Sequence, residues 1–141
     1  MKALSLWQPW ATAMERGLKR NETRRTFWHL NCDVAICAAR RPLDTIGLSV
    51  ARDNNISLVG MKFGFVLCVV FMKSPIVSDN FTQDDLTQLE RSLGDYSSCR
   101  NVYQTENLRV LREPVPVIGR QGIFNLPADV EAKVREQLTV K

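Results

Sequence analysis

Hydrophobic positions along the chain follow two rhythms, and punctuation separates them. Lys2–Leu6 reads as a short strand, and residues 34–39 (VAICAA) form a continuous apolar run that predicts a buried one. Residues 63–72 (FGFVLCVVFM) hold too many β-branched and aromatic side chains in too short a run for a helix, so they predict the strongest strand. Pro9 suits the first turn of a helix that runs to about Arg16, where Gly17 offers the left-handed conformation that ends it. Residues 21–26 are β-compatible but polar, which allows burial of at most one face. Pro42 opens a second helix through about Asp53, and Thr82 is a good N-cap for an amphipathic helix over residues 83–93 closed by Gly94. Residues 108–111 and 115–118 read as short strands on either side of a REPVP turn. Pro114 and Pro116 cannot donate ladder hydrogen bonds, which places this region at an edge or a barrel rim. A last helix runs from Pro127 to about residue 138. Short strands mixed with helices, without repeats or linkers, predict an α+β fold: a small β-barrel with helices packed on its outside.

Composition sets the scale. With 141 residues, 45% of them hydrophobic and 24% charged, residues 1–141 suit one domain that buries its own core. The longest apolar run is too short to span a bilayer as a helix, and the first residues lack the layout of a secretion signal, so a cytoplasmic protein with no membrane partner is expected. Cys32, Cys37, Cys68 and Cys99 form no CxxC pair, and reduced, mostly buried thiols follow. One histidine and unclustered cysteines do not make a zinc set, so neither metal nor cofactor is expected.

Charge adds a partner class. A net charge of +4 is mild, but Lys19, Arg20, Arg24 and Arg25 fall close together, Arg40 and Arg41 follow, and Arg109, Arg112 and Arg120 recur late. Brought together by folding, these cations suit a phosphate backbone; left apart, they are ordinary surface charge. Asp84 and Asp85 sit at the expected helix start, where the helix dipole accounts for them.

Three stretches carry a family likeness. ALSLWQPWA (residues 3–11), GLKRNETR (residues 17–24) and GRQGIFNLP (residues 119–127) resemble the ASCH domain, whose hallmark G-x-K-x-x-E-x-R is complete as Gly17, Lys19, Glu22 and Arg24. ICAAR (residues 36–40) and GDYS (residues 94–97) support the match, which is greatest to the short stand-alone ASCH proteins of phages and prophages. The resemblance implies a PUA-like barrel with a cleft, in a superfamily associated with RNA and modified-nucleotide recognition.

Strand alternation puts Glu22 and Arg24 on one face and Thr23 on the other, while Lys19 can bend from the turn toward the same cleft. A carboxylate between two cations is fixed in place, either to read a base edge beside phosphate-binding cations or as an ion pair closing the barrel mouth. Trp7, Trp10, Trp28, Tyr96 and Tyr103 are candidate stacking platforms; Trp10 belongs to the QPW element, whereas Trp7, Phe27 and Trp28 equally suit packing. Gln8 and Gln121 offer paired donors and acceptors for a base edge or for barrel closure. The expected ligand-binding set is Trp10, Gly17, Lys19, Glu22, Arg24, Arg40, Tyr96 and Gln121, and the expected ligand is single-stranded RNA or a modified nucleotide, bound by a monomer.

Other functions stay open. Some ASCH-like relatives resemble amidohydrolases of acylated cytidine, with a K-x-x-T-x-R motif in which lysine activates threonine. Glu22 stands where that threonine would be, Thr23 is one residue out of register, and pairing Lys19 with a carboxylate works against its use as a base. RNA cleavage with Lys19 and Glu22 as catalytic groups is a second hydrolytic reading, in which His29 beside Trp28 suits packing better than proton transfer. A phage adaptor that binds a protein through residues 82–93 and the loop 53–58 is a third.

Overall fold

The computed structural model describes residues 1–81 and 86–139. Seven strands form one curled sheet in the order β2-β6-β4-β3-β1-β7, with β5 added onto β6. They are β1 (Lys2–Leu6), β2 (Asn21–Arg24), β3 (Cys32–Ala38), β4 (Phe65–Met72), β5 (Ile76–Val77), β6 (Asn101–Pro116) and β7 (Ile123–Asn125). Four helices pack against it: α1 (Trp10–Glu15), α2 (Thr45–Asp53), α3 (Gln88–Leu93) and α4 (Ala128–Thr139). The small α+β barrel is the architecture the sequence implied, except that α1 lies partly inside it.

Two faces of the sheet are buried, which explains why its central strands read as unbroken apolar runs. Leu4 and Leu6 of β1, Val34 and Ile36 of β3, and Val70 and Met72 of β4 point into the barrel, where Met14 of α1 and Tyr103 of β6 meet them. Ala3, Ala35, Cys37 and Val69 point outward and are covered by Val130 and Val134 of α4. A smaller cluster joins Ala13 of α1, Ala51 of α2 and Leu93 of α3, so α1 plugs the barrel with one side and anchors two helices with the other. Complete burial of each such aliphatic side chain stabilises by about 1.5–3 kcal/mol relative to exposure.

Several boundaries differ from expectation for identifiable reasons. The helix expected from Pro42 starts at Thr45, because the Asp44 side chain accepts from Gly47 N–H and caps it. Thr82, Asp84 and Asp85 lie outside the described residues; the described helix begins later, at Gln88, with Thr87 accepting from Glu90 N–H as its cap. The two short strands around REPVP are one strand of 16 residues. Val66 pairs with Val115 and Cys68 with Val110, so β4 advances two residues while β6 advances five. The expected turn is therefore an irregular bulge that adds three residues to β6. Within it, the Gln137 amide of α4 replaces the missing strand partner: its Oε1 accepts from Glu113 N–H at 3.0 Å and its Nε2 donates to Glu113 O at 2.7 Å. All four cysteines are free thiols; Cys37 and Cys68 are buried, Cys32 is half-buried and Cys99 is exposed.

Candidate functional site

Gly17, at φ +74°, reverses the chain after α1. Leu18 and Lys19 N–H both donate to Ala13 O, and this tight reversal turns the Lys19 side chain inward, where only 2% of it is exposed. Its ammonium donates to Asn21 O at 2.6 Å and to Leu93 O at 3.2 Å, and it lies 3.3 Å from Glu22 Oε1. An ammonium has three protons, and three oxygens surround this one. The other Glu22 oxygen accepts from Arg24 Nε at 2.9 Å. Both carboxylate oxygens thus face cations, and Glu22 serves as the bridge of a Lys19–Glu22–Arg24 ion-pair chain.

Arg24 carries the chain outward to an aromatic. Its guanidinium carbon lies 5.5 Å from the centre of the Trp28 ring. Trp28 is itself fixed by Tyr103, whose hydroxyl accepts from Trp28 N–H at 2.6 Å and donates to Thr26 O at 2.9 Å.

The other face of β2 meets the segment that follows α3. Thr23 Oγ1 accepts from Asp95 N–H at 3.1 Å, and Thr23 O accepts from Arg100 Nη2 at 3.1 Å. Arg100 also lies 3.7 Å from Asp95. Asn21 Nδ2 donates to the Tyr96 hydroxyl at 3.1 Å. Asn21, Glu22 and Thr23 are consequently all buried, whereas their polarity suggested one buried face at most. Specific hydrogen bonds make burial of both faces affordable.

Beyond the edge of β2, the barrel seam opens into a cleft of about 1110 Å³, bounded on the far side by residues 118–122, which lead into β7. Arg40 enters at the end of β3, lying across Gly64, where a Cβ would sit 3.0 Å from its Cγ and Nε. Arg120 enters from the opposite side. At the floor, the Ser5 hydroxyl is buried without a hydrogen-bond partner. The Gly119 backbone passes directly over it, so close that a Cβ there would lie 2.3 Å from Ser5 Oγ.

Of the expected ligand-binding residues, Trp10, Lys19, Glu22, Arg24, Arg40 and Gln121 border this cleft. Gly17 and Tyr96 are not among its lining residues: Gly17 shapes the turn, and Tyr96 stands behind β2 against Asn21 and Phe81. Gln8 is structural, since its Oε1 accepts from Thr12 N–H and its Nε2 donates to Lys62 O. Arg109 is drawn away by Asp33, which accepts from both its Nη atoms at 3.1 and 2.6 Å. His29 packs edge-on to Phe27. Ser5, Thr26, Asp95 and Arg100 also border the cleft. Ser5 and Asp95 fall in the quoted stretches 3–11 and 94–97 without being singled out by them, and no local pattern marks Thr26 or Arg100.

Burial raises the Tyr96 hydroxyl to about 12, so it remains a neutral hydrogen-bonding group. Burial also raises Glu90 on α3, against the lowering effect of the hydrogen bond from Arg20 N–H and the nearby Lys19 charge. With its protons directed at three oxygens, Lys19 is placed to hold the turn together rather than to accept a proton. Among the described residues, no group of three metal-ligating side chains converges.

A curled sheet with an open seam, a plugging helix and the G-x-K-x-x-E-x-R turn at the cleft define the class: this chain takes the ASCH fold. The crystal structure of ASCH from Zymomonas mobilis is similar over 96% of this chain and 93% of that one, with TM-score 0.56 and 14% identity. A tyrosine-to-phenylalanine variant of that protein matches with TM-score 0.56 and 13% identity over 96% of each chain. Its serine-to-alanine variant matches with TM-score 0.56 and 14% identity over 96% of this chain and 94% of that one. No family model matches the sequence, and no curated protein matches it.

Proposed function

We propose that the cleft binds single-stranded RNA, or a nucleotide portion of it, and does so without turning it over. One observation carries this reading: Arg40 and Arg120 line the cleft beside two tryptophans, Trp10 and Trp28, and no ion pair within the described residues engages either arginine. Unpaired guanidinium groups favour phosphate, and aromatic planes favour unstacked bases. Lys19 and Glu22 then act as a preformed support, with Arg24 presented on the Trp28 ring.

The test is a salt-dependent titration of a short single-stranded RNA beside an equal-length DNA, with the RNA recovered and sized afterwards. Binding should weaken as salt rises, and Arg40→Gln combined with Arg120→Gln should flatten the logarithmic slope by about 1.4, the share of two single-strand phosphate contacts. Absence of binding to either strand overturns the reading. Fragments that appear with the wild type and not with Glu22→Gln make the protein a ribonuclease instead.

A further inference from the structure

The cleft does not end at its inner aromatics. Trp7 follows β1 at the cleft border and is 52% exposed, a large apolar area to leave in water. It is nevertheless covered on one side: the Arg41 guanidinium carbon lies 3.7 Å from the centre of its ring. Arg41 is held in turn by Asp44, whose Oδ2 accepts from Arg41 Nη2 at 3.1 Å while its Oδ1 accepts from Gly47 N–H and caps α2. A helix cap, an ion pair and a guanidinium over the ring thus link one exposed indole to the start of α2. Arg41 covers one ring face, and about half of the residue nonetheless remains in solvent.

We infer that Trp7, backed by Arg41, is an outer stacking position for a second base of the strand whose first nucleotide occupies the inner cleft. The inference rests on the nucleic-acid reading of that cleft. Three features favour a base over other occupants. An indole backed by a guanidinium presents a pre-oriented flat surface, and every nucleobase has a matching π-face. Arg40, next in sequence to Arg41, lies in the cleft lining without an ion-pair partner among the described residues, so a cation adjoins the stacking surface for the phosphate between two nucleotides. Arg120, across the cleft, is the second such cation. A mononucleotide would fill the inner position alone, whereas a longer strand would reach Trp7.

Calorimetric titration of uridine monophosphate and of oligouridylates of increasing length, on wild type, Trp7→Ala and Trp7→Phe, tests this. Wild type should bind the oligomers more tightly than the monomer. Trp7→Ala should weaken oligomer binding about tenfold and leave the monomer unchanged, the loss expected for one stacked base. Trp7→Phe, which keeps a ring, should restore most of the gain. Equal weakening of monomer and oligomer in Trp7→Ala, or no change in either, overturns the outer position and leaves the cleft reading standing. A wild type that binds neither monomer nor oligomer overturns both.

Discussion

The Lys19 ammonium donates to the carbonyl oxygen of Leu93, a residue 74 positions away at the end of α3, at 3.2 Å. The lysine of the G-x-K-x-x-E-x-R turn is thereby a fastener between the turn into β2 and the end of α3. Replacing it with methionine keeps the stem but leaves Glu22 and two carbonyls facing an apolar end. Lys19→Met should cost about 3–5 kcal/mol of stability, the usual penalty for breaking a buried ion pair from one side. Urea denaturation measures it, and unchanged stability would show that the ammonium is not a structural tie.

Gly119 and Ser5 make the tightest backbone passage at the cleft floor. A methyl at Gly119 would stand 2.3 Å from Ser5 Oγ and 3.3 Å from Ser5 Cβ, so Gly119→Ala should destabilise by about 1–3 kcal/mol through overpacking. Adding Ser5→Gly removes both obstructing atoms and should recover most of that loss. Additive losses in this double-mutant cycle would mean that the two residues do not meet.

Tyr103→Phe deletes one oxygen that serves both Trp28 N–H and Thr26 O. Both groups lose their protein partner, at a cost of about 1–3 kcal/mol. Because Trp28 borders the cleft, its near-ultraviolet circular dichroism should weaken as well; a stability loss with an unaltered aromatic spectrum would place the effect in the core alone.

Glu90 gives the molecule a pH signature. Its folded value lies above the ordinary 4.5, chiefly through burial, so between the two values the folded chain holds a proton that the unfolded chain has released. Stability contributed by the neutral carboxyl is intact below 4.5 and lost as pH rises through the folded value. Glu90→Gln retains an oxygen for Arg20 N–H and removes this step. Its melting temperature relative to wild type should climb as pH rises above about 4.5 and then level off. A constant difference across that range would mean that Glu90 ionises alike in both states.

Much of the barrel was legible in the sequence because its central strands are buried on both faces and their apolar runs stand out. Lys2–Leu6 needed no adjustment, and Gly17 ends α1 by the conformation its lack of a side chain allows. β6 was not legible as one strand, since residues 106–108 are exposed and Pro114 and Pro116 mimic a turn where a bulge lies. At the site, the motif residues announced themselves by spacing. The division of labour among them did not: Lys19 is consumed by Asn21 O nearby and Leu93 O remote in sequence, while Arg40 and Arg120, from the ICAAR and GRQGIFNLP stretches, have no ion-pair partner among the described residues. Trp7 suited packing equally well until Arg41 was seen to hold it at the surface.

The Gln137 amide on Glu113 carries a last consequence. A strand that loses its neighbour presents bare N–H and C=O groups, and such an edge can template pairing with a strand from another molecule. Here both Glu113 groups are occupied by a side chain from α4. The longest strand is therefore shielded against intermolecular strand addition at the place where its pairing breaks, and peeling α4 away would expose that aggregation-prone edge.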